Sequence, residues 1–391
     1  METTHDQLWS RDFILLLGST LLIWGSFYFI LPTLPLYVVQ RLHGNPAQVG
    51  LLSGMLGITA VIARPLSGWA ADRWGRRPVQ LLFLLLFAVV VLTYNFATSM
   101  AMLVLIRLLH GIPFGAATTA GMTVAADLVP ASRRGEGIGY YALAQTLSMA
   151  VGPVLAFAIL GGGHFSRLFL TTSLIAFAAL MLAWAIRHPP VRNAHASFSW
   201  QSIFEMRVGW LALTALFIAL GYSGIVSFVT LYGEQLHVGN AGLFFTLYAL
   251  GMMLARPGTG QAFDRRGPAP VVAGGLAILF LAYLLLALWR TAMGFLCAGL
   301  LYGVGYGAVV PSIQAMAVNM VPAVRRGAAN ATVFSIFDIG MSVGPYLLGL
   351  LAQAMGGYAE IYLVAAALLA VPTLLFFWRV MPGYGRMMSE E

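Results

Sequence analysis

Gly68-Trp69-Ala70-Ala71-Asp72-Arg73-Trp74-Gly75-Arg76-Arg77 stands between two long apolar runs, and a thinner copy, Gly260-Gln261-Ala262-Phe263-Asp264-Arg265-Arg266-Gly267, stands 192 residues later. The same offset carries Arg64-Pro65 onto Arg256-Pro257 and Gly111 and Gly115 onto Gly303 and Gly307. It also carries Val129-Pro130-Ala131 and Arg133-Arg134-Gly135 onto Val321-Pro322-Ala323 and Arg325-Arg326-Gly327, and Gly152-Pro153 onto Gly344-Pro345. One such match could arise by convergent loop chemistry. Several in register, without a gap from about residue 64 to 153, point to a duplicated unit whose helices and loops keep equal lengths. Duplication is a standard way to build a transporter that opens alternately to two sides, with the solute held between the halves.

The composition agrees. Of 391 residues 60% are hydrophobic and 9% charged, against about 25% charged in a soluble domain. The 43 glycines let membrane helices approach closely. A bilayer core takes about 20 apolar residues per helix. Apolar runs between charged or Pro/Gly-rich breaks predict helices near 13–38, 47–71, 78–98, 101–126, 137–160 and 166–186, then near 208–233, 240–263, 269–289, 292–318, 328–353 and 357–379. The expected organisation is a six-helix bundle over 1–186, a linker over 187–207 and a second bundle over 208–391. The first run, Phe13 to Val39, is longer than a signal-peptide core and lacks a small-residue cleavage pattern, so it is expected to remain as a helix. In the linker, His188, Pro189 and Pro190 stop a helix. Trp200, Ile203, Phe204 and Arg207 then recur at helical spacing, as in a short amphipathic helix on the membrane surface or a plain tether.

All 21 basic residues are Arg. Counted by loop, 15 of them fall on the side that holds both termini and only Arg41, Arg167 and Arg290 on the other. The excess of basic residues inside predicts that both termini are cytoplasmic, in a cell inner membrane. The net charge of +8 does not indicate nucleic acid, because the Arg residues are scattered between apolar runs. The single cysteine, Cys297, excludes an intramolecular disulfide.

The Gly68–Arg77 loop resembles the signature of the major facilitator superfamily, with Pro268 and Ala269 replacing the final basic pair in the second copy. The resemblance covers essentially the whole chain. It implies an all-α membrane protein of twelve transmembrane helices in two pseudo-symmetric six-helix bundles. It also implies a cytoplasmic latch built on Gly68, Asp72, Arg73, Gly75, Arg76 and Arg77, with Asp264 and Arg265 as a weaker counterpart. Gly68 is expected to permit close helix packing and Gly75 a tight turn. Asp72 is placed to cap a helix N-terminus and to pair with a nearby Arg. The alternative for the Arg residues is that they only set topology.

Helix four reads Arg107-Leu-Leu-His110-Gly111-x-x-x-Gly115, which resembles the family's second motif, often linked to proton coupling. Arg107 lies about six residues, ~9 Å, from the outer helix end. A charge there is costly and often functional, or it snorkels to the headgroups. His110 titrates in the neutral range when solvated, and its plainer reading is a hydrogen-bonded packing residue. Helix five reads Gly139, Ser148, Gly152-Pro153, and helix eleven reads Gly340, Gly344-Pro345. These resemble the Gly-Pro motif of the antiporter branch, with Ser148 and Ala156 where Gly is usual.

Asp338 lies about ten residues, ~15 Å, into helix eleven, and no other acid sits so deep. It is displaced from Gly340 and Gly344 by about 200° and 240° at 3.6 residues per turn. If the glycine face packs on a neighbour and lipid is too costly, Asp338 faces the cavity. The alternative is a structural hydrogen bond to another helix. Helix one has no acid between Phe13 and Val39, a departure from many drug:proton antiporters that shifts the expected proton coupling to Asp338, Arg107 and His110. Trp24, Tyr28, Tyr222, Tyr302, Tyr306, Gln314 and Asn319 are the polar and aromatic candidates for a substrate cavity suited to an amphipathic solute.

The expected function is export of small organic compounds by proton antiport. The alternatives are a dedicated exporter of a metabolite, such as a sugar or metallophore, or a proton-coupled uptake symporter. An enzyme is not expected, since no nucleophile–base pair, metal-ligand set or nucleotide loop is present. The expected partners are a small-molecule substrate, protons and the lipid bilayer, with no cofactor, no metal, no nucleic acid, and a monomeric chain.

Overall fold

A computed structural model describes residues 8–130, 133–188, 204–322 and 325–390, without the side chains of Asp72, Arg134, Pro257 and residues 386–390. The first six helices are α1 (Arg11–Leu42), α2 (Pro46–Trp74), α3 (Arg76–Thr93), α4 (Met100–Leu128), α5 (Arg134–Leu160) and α6 (Phe165–Trp184). The next five are α7 (Gly209–Gln235), α8 (Leu243–Arg266), α9 (Pro268–Leu288), α10 (Ala292–Asn319) and α11 (Arg326–Met355). The twelfth span is composite: α12 (Ala359–Leu368), α13 (Ala370–Leu375), a π-helical turn at Phe376–Val380, and a last helix, α14 (Met381–Glu390). Eleven spans among the described residues are long and apolar enough to cross a membrane. The remaining one, α8, has its apolar residues concentrated in Leu243–Arg256 and carries Asp264, Arg265 and Arg266 in its last turn. The predicted helices are therefore present within a few residues. The linker helix predicted around Trp200 and Ile203 lies outside the described residues.

Two compact units form, Met1–Tyr37 with Met55–Phe198, and Val38–Gly54 with Ser199–Glu391. Residues 38–54 group with the second because Gly50 and Gly54 at the start of α2 meet the backbone of Pro345 and Ser342 in α11, and Pro46 meets Gly349. In the first unit α3 packs on α4 and α6; in the second α10 packs on α8 and α9, and α11 on α7.

Within a bilayer apolar burial does not drive helices together, so contact depends on small residues and interhelical hydrogen bonds. The repeat uses the small residues in the same register. A Cβ on Gly111 or Gly115 would strike the carbonyls of Leu56 and Ala60 in α2, and a Cβ on Gly303 or Gly307 would strike Tyr248 and Met252 in α8. Each of these contact pairs is separated from its copy by the same 192 residues. Ser99 caps α4 by accepting from the Met102 N–H, and Thr291 caps α10 by accepting from the Gly294 N–H. Polar ties across helices include Ser19 Oγ to the Ala179 carbonyl (2.9 Å), Ser67 Oγ to the Ala116 carbonyl (2.8 Å) and the Tyr232 hydroxyl to the Leu286 carbonyl (2.7 Å). Each such bond contributes about 0.6 kcal/mol in membrane proteins.

Candidate functional site

The turn after α2 places Gly75 at φ 102°, and the turn after α8 places Gly267 at φ 77°. Both lie where a side chain is strained, so glycine is favoured by backbone conformation, which the sequence had suggested for Gly75. Gly68 is different: a Cβ there would meet nothing within 4 Å. The expectation that Gly68 allows close packing is corrected, because no neighbouring helix approaches it in this structure. Arg73 lies over the Trp69 ring, 5.8 Å from its centroid. Arg76 is buried, and its Nε donates to Asp127 Oδ2 at 2.8 Å, at the end of α4. Arg77 Nη2 donates to the Trp184 carbonyl at 3.4 Å. The loop is thus tied to α4 and α6 by its two last basic residues. Asp127 was missed by sequence reading, and its one signal is an acid at the Arg-rich end of α4. The Asp72 side chain lies outside the described residues. Asp264 and Arg265 are exposed.

Arg107 is 2% exposed and His110 0%. Both turn into the first bundle, toward Tyr94. The Tyr94 hydroxyl lies 2.9 Å from His110 Nδ1 and also faces the Arg107 guanidinium. Phe87 and Phe114 flank the imidazole, with ring centroids 5.2 and 6.2 Å away. Arg107 is thus buried within the first bundle beside Tyr94. Tyr94 was not singled out from the sequence, where it is only the last polar aromatic of the third apolar run.

In the same bundle α1 presents a half-buried aromatic face. Trp24 stacks on Tyr28 (6.0 Å) and meets Phe114 edge-on (5.2 Å), while Phe27 lies parallel to Phe114 at 4.4 Å. Gly152 of α5 brings the backbone against Tyr28 Cβ, and Ser148 Oγ donates to the Leu21 carbonyl at 2.8 Å. Ser148 therefore replaces a packing glycine with a hydrogen bond. Pro153 follows inside the helix. Gly139 has open space around it, so no packing role exists for it in this structure.

The second bundle holds a tyrosine cluster on α7 to α10. Tyr222 lies 4.7 Å from Tyr306 and 6.1 Å from Tyr248, Tyr248 lies 5.6 Å from Tyr302, and the Tyr283 and Tyr302 hydroxyls are 3.0 Å apart. Tyr302 is fully buried and held by Tyr283, which removes it from the lining of a cavity. Tyr306 and Gln314 do line one, with Ile218, Ile313, Val333 and Phe337, and its volume is about 50 Å³. A site for a whole organic solute is about 300–1,000 Å³, so this cavity within one bundle accommodates a ring edge or a few waters. Asn319, also expected at the cavity, instead donates to the Tyr384 hydroxyl at 3.3 Å. Tyr248 and Tyr283 were not anticipated.

On α11, Gly340 packs on Leu216 and Ala219, and Gly344 on Leu220 and Ser223, so the glycine face meets α7. Pro345 follows Gly344 inside the helix. Asp338, turned from that face, is half-buried, one residue after Phe337, whose ring lies 6.4 Å from Tyr222. Its carbonyl accepts from Ser342 Oγ at 2.7 Å. Beside the start of α7, Glu205 accepts from Arg325 Nε at 2.9 Å, and its own N–H donates to Thr332 Oγ1 at 2.8 Å. The Arg325 hydrogen bond holds the Glu205 carboxyl below the usual glutamate range, against a smaller opposing effect of burial. Among the described residues no three His, Cys, Asp or Glu side chains converge to hold a metal.

The chain matches the family model described as the Major Facilitator Superfamily over residues 16–318 and 235–386. It is 25% identical over 388 residues to the multidrug resistance protein MdtG of Escherichia fergusonii, covering 95% of this chain and 94% of that protein. It is 26% identical to MdtG of Salmonella paratyphi C, over 92% of each chain. Among solved structures, a bacterial homologue of the human lysosomal transporter Spinster aligns with TM-score 0.81 at 16% identity, covering 100% of this chain and 99% of that one. The nucleoside transporter NupG aligns with TM-score 0.76 at 16% identity, covering 94% and 98%. With its duplicated six-helix units, its paired loop turns and this full-length match, the chain belongs to the Major Facilitator Superfamily and is a membrane-spanning transporter.

Proposed function

We propose that the chain exports amphipathic organic solutes by proton antiport, as a monomer in a cell inner membrane with both termini on the Arg-rich cytoplasmic side. In this reading the two bundles, 1–186 and 208–391, alternate access, and the 187–207 segment tethers them. The observation that carries it is Asp338, a half-buried carboxyl deep in α11, one residue after Phe337, whose ring joins Tyr222 and Tyr306. Carboxyls within membrane spans are costly, and they mark proton relays and ion pathways in transporters. Aromatic faces in the same bundle suit a lipophilic cation that takes the place of the proton. Names of relatives such as the multidrug resistance protein MdtG support export of organic compounds. Arg107 and His110, turned toward Tyr94, are assigned to holding α4 on α3. The Arg76–Asp127 pair latches the loop between α2 and α3 at the cytoplasmic face.

Everted membrane vesicles with an acidic lumen test this, following uptake of a lipophilic cationic dye. Uptake that collapses with the pH gradient and is lost in Asp338→Asn is the expected result. Gradient-driven uptake that survives the substitution overturns Asp338 as the proton site, and absence of dye movement overturns this substrate class.

A further inference from the structure

The cavity lined by Tyr306 and Gln314 has a counterpart in the first repeat. Moving its lining back by 192 residues gives Gly121 for Ile313, Met122 for Gln314, Tyr141 for Val333 and Gln145 for Phe337. In the first half this position is complete within the chain. Tyr141 of α5 is 2% exposed, and its hydroxyl lies 2.9 Å from where a Cβ on Gly121 of α4 would stand. The Thr20 and Gln145 side chains hydrogen-bond that hydroxyl. A phenol thus reaches α4 from α5, and an amide reads its edge.

In the second half the phenol is gone and an amide remains. Val333 stands in the place of Tyr141, and Gln314 of α10 lines the cavity beside it. Gln314 is half-buried, and among the described residues no group hydrogen-bonds its side chain. The surrounding wall is apolar or aromatic, with Ile218, Phe334, Phe337 and Tyr306, whose ring lies 4.7 Å from that of Tyr222. An amide offers one accepting oxygen and two donating N–H groups. In such a wall they are met by water or by a polar group on whatever fills the space. At about 50 Å³ the cavity takes the edge of one ring.

We propose that this cavity takes the hydroxyl-bearing edge of an aryl ring on the transported solute, read by Gln314 as Gln145 reads Tyr141. The proposal rests on export of amphipathic organic solutes and adds a preference among them, for hydroxyaryl over plain aryl groups. The aromatic side chains pack on the ring, and the amide bonds the hydroxyl. A half-buried amide keeps access to water when the hydroxyl is missing. The preference is therefore that of one net hydrogen bond, well short of the rejection made by a dry polar site.

Equilibrium binding to the purified full-length protein in detergent compares tetraphenylphosphonium with its single para-hydroxyl derivative, two lipophilic cations that differ by one hydroxyl. Wild type is expected to bind the hydroxylated cation about fivefold more tightly, the effect of one net hydrogen bond. Gln314→Leu is expected to bring the two affinities together. Val333→Tyr, which supplies the phenol of the first half, is expected to do the same by occupying the amide. Equal affinities in wild type, or a preference that survives Gln314→Leu, overturn the proposal and leave the export reading standing. Failure of wild type to bind either cation overturns both.

Discussion

The two halves of this transporter were copied from one unit, and they differ most where helix four and helix ten face their neighbours. Gly111 and Gly115 in α4 and Gly303 and Gly307 in α10 are the same residues making the same backbone contacts. One residue before each glycine the chemistry diverges. His110 and Tyr302 occupy one repeat position, as do Phe114 and Tyr306. His110 is tied to Tyr94 of the third span, and Tyr302 to Tyr283 of the ninth. At this position each half therefore ties its glycine-bearing helix to the preceding span by a polar contact, with different side chains. The halves also diverge at the Arg-rich end. Arg76 and Asp127 form an ion pair in the first half. Their counterparts, Pro268 and Asn319, form none, and Asn319 binds Tyr384 instead. What is shared builds the bundle, and what is unshared is where the two halves acquired separate tasks.

The shared part is open to the harshest test. Gly111→Val and Gly303→Val each push a side chain into a neighbouring carbonyl, in α2 and α8 respectively. Overpacking of this kind costs about 1–3 kcal/mol. The two variants are expected to lower the thermal unfolding temperature of purified protein by similar amounts. A large loss in one and none in the other would show that the matched contacts do not carry matched load.

A second test separates fastening from coupling. Tyr94→Phe removes the contact to His110 and is expected to cost about 1 kcal/mol of stability, the usual net value of a buried hydrogen bond. The pH profile of transport should stay where it is. Asp338→Asn is expected instead to flatten the pH profile of transport. If Tyr94→Phe shifts the pH profile, the His110–Tyr94 contact belongs to the proton path and the first half carries coupling as well.

Much of this comparison could be read before any coordinates. Apolar length gave each span, the constant offset gave the duplication, and Gly75 and Gly267 gave the turns, because those features depend on local geometry. Rotation of a helix about its axis was harder to read. In a soluble helix the polar face marks the outside, but α4 and α10 are apolar nearly all round. Hence Arg107 and His110 were grouped with Asp338 as coupling candidates, although they turn toward Tyr94. Tyr302 was likewise placed in a cavity, although it turns toward Tyr283. Gly68 and Gly139 look like packing glycines by spacing, yet no helix comes near them. Partners far apart in sequence, Arg76 with Asp127 and Glu205 with Arg325, leave no periodic trace at all.

That last pair gives the finest distinction between the halves. Arg133 and Arg325 are repeat partners. Arg133 bonds Glu136 one turn away in its own helix, with both side chains well exposed at 38% and 42%. Arg325 instead bonds Glu205, across 120 residues of sequence, and the carboxylate is only 10% exposed. Exposed pairs at helical spacing contribute about 0.3–0.5 kcal/mol or nothing, and the shielded pair up to about 1 kcal/mol. Because Glu205 is held below the usual glutamate range, chiefly by the Arg325 bond, the folded state binds its proton more weakly than the unfolded state. Its contribution is then complete above the unfolded value of about pH 4.3 and is lost as pH falls through the lower folded value. Glu205→Gln should lower the melting temperature at neutral pH, and the gap from wild type should close on acidification below about pH 4. Glu136→Gln should show neither effect. Equal, pH-independent losses in both variants would mean that the first half is stapled as firmly as the second and that Glu205 adds nothing its repeat partner lacks.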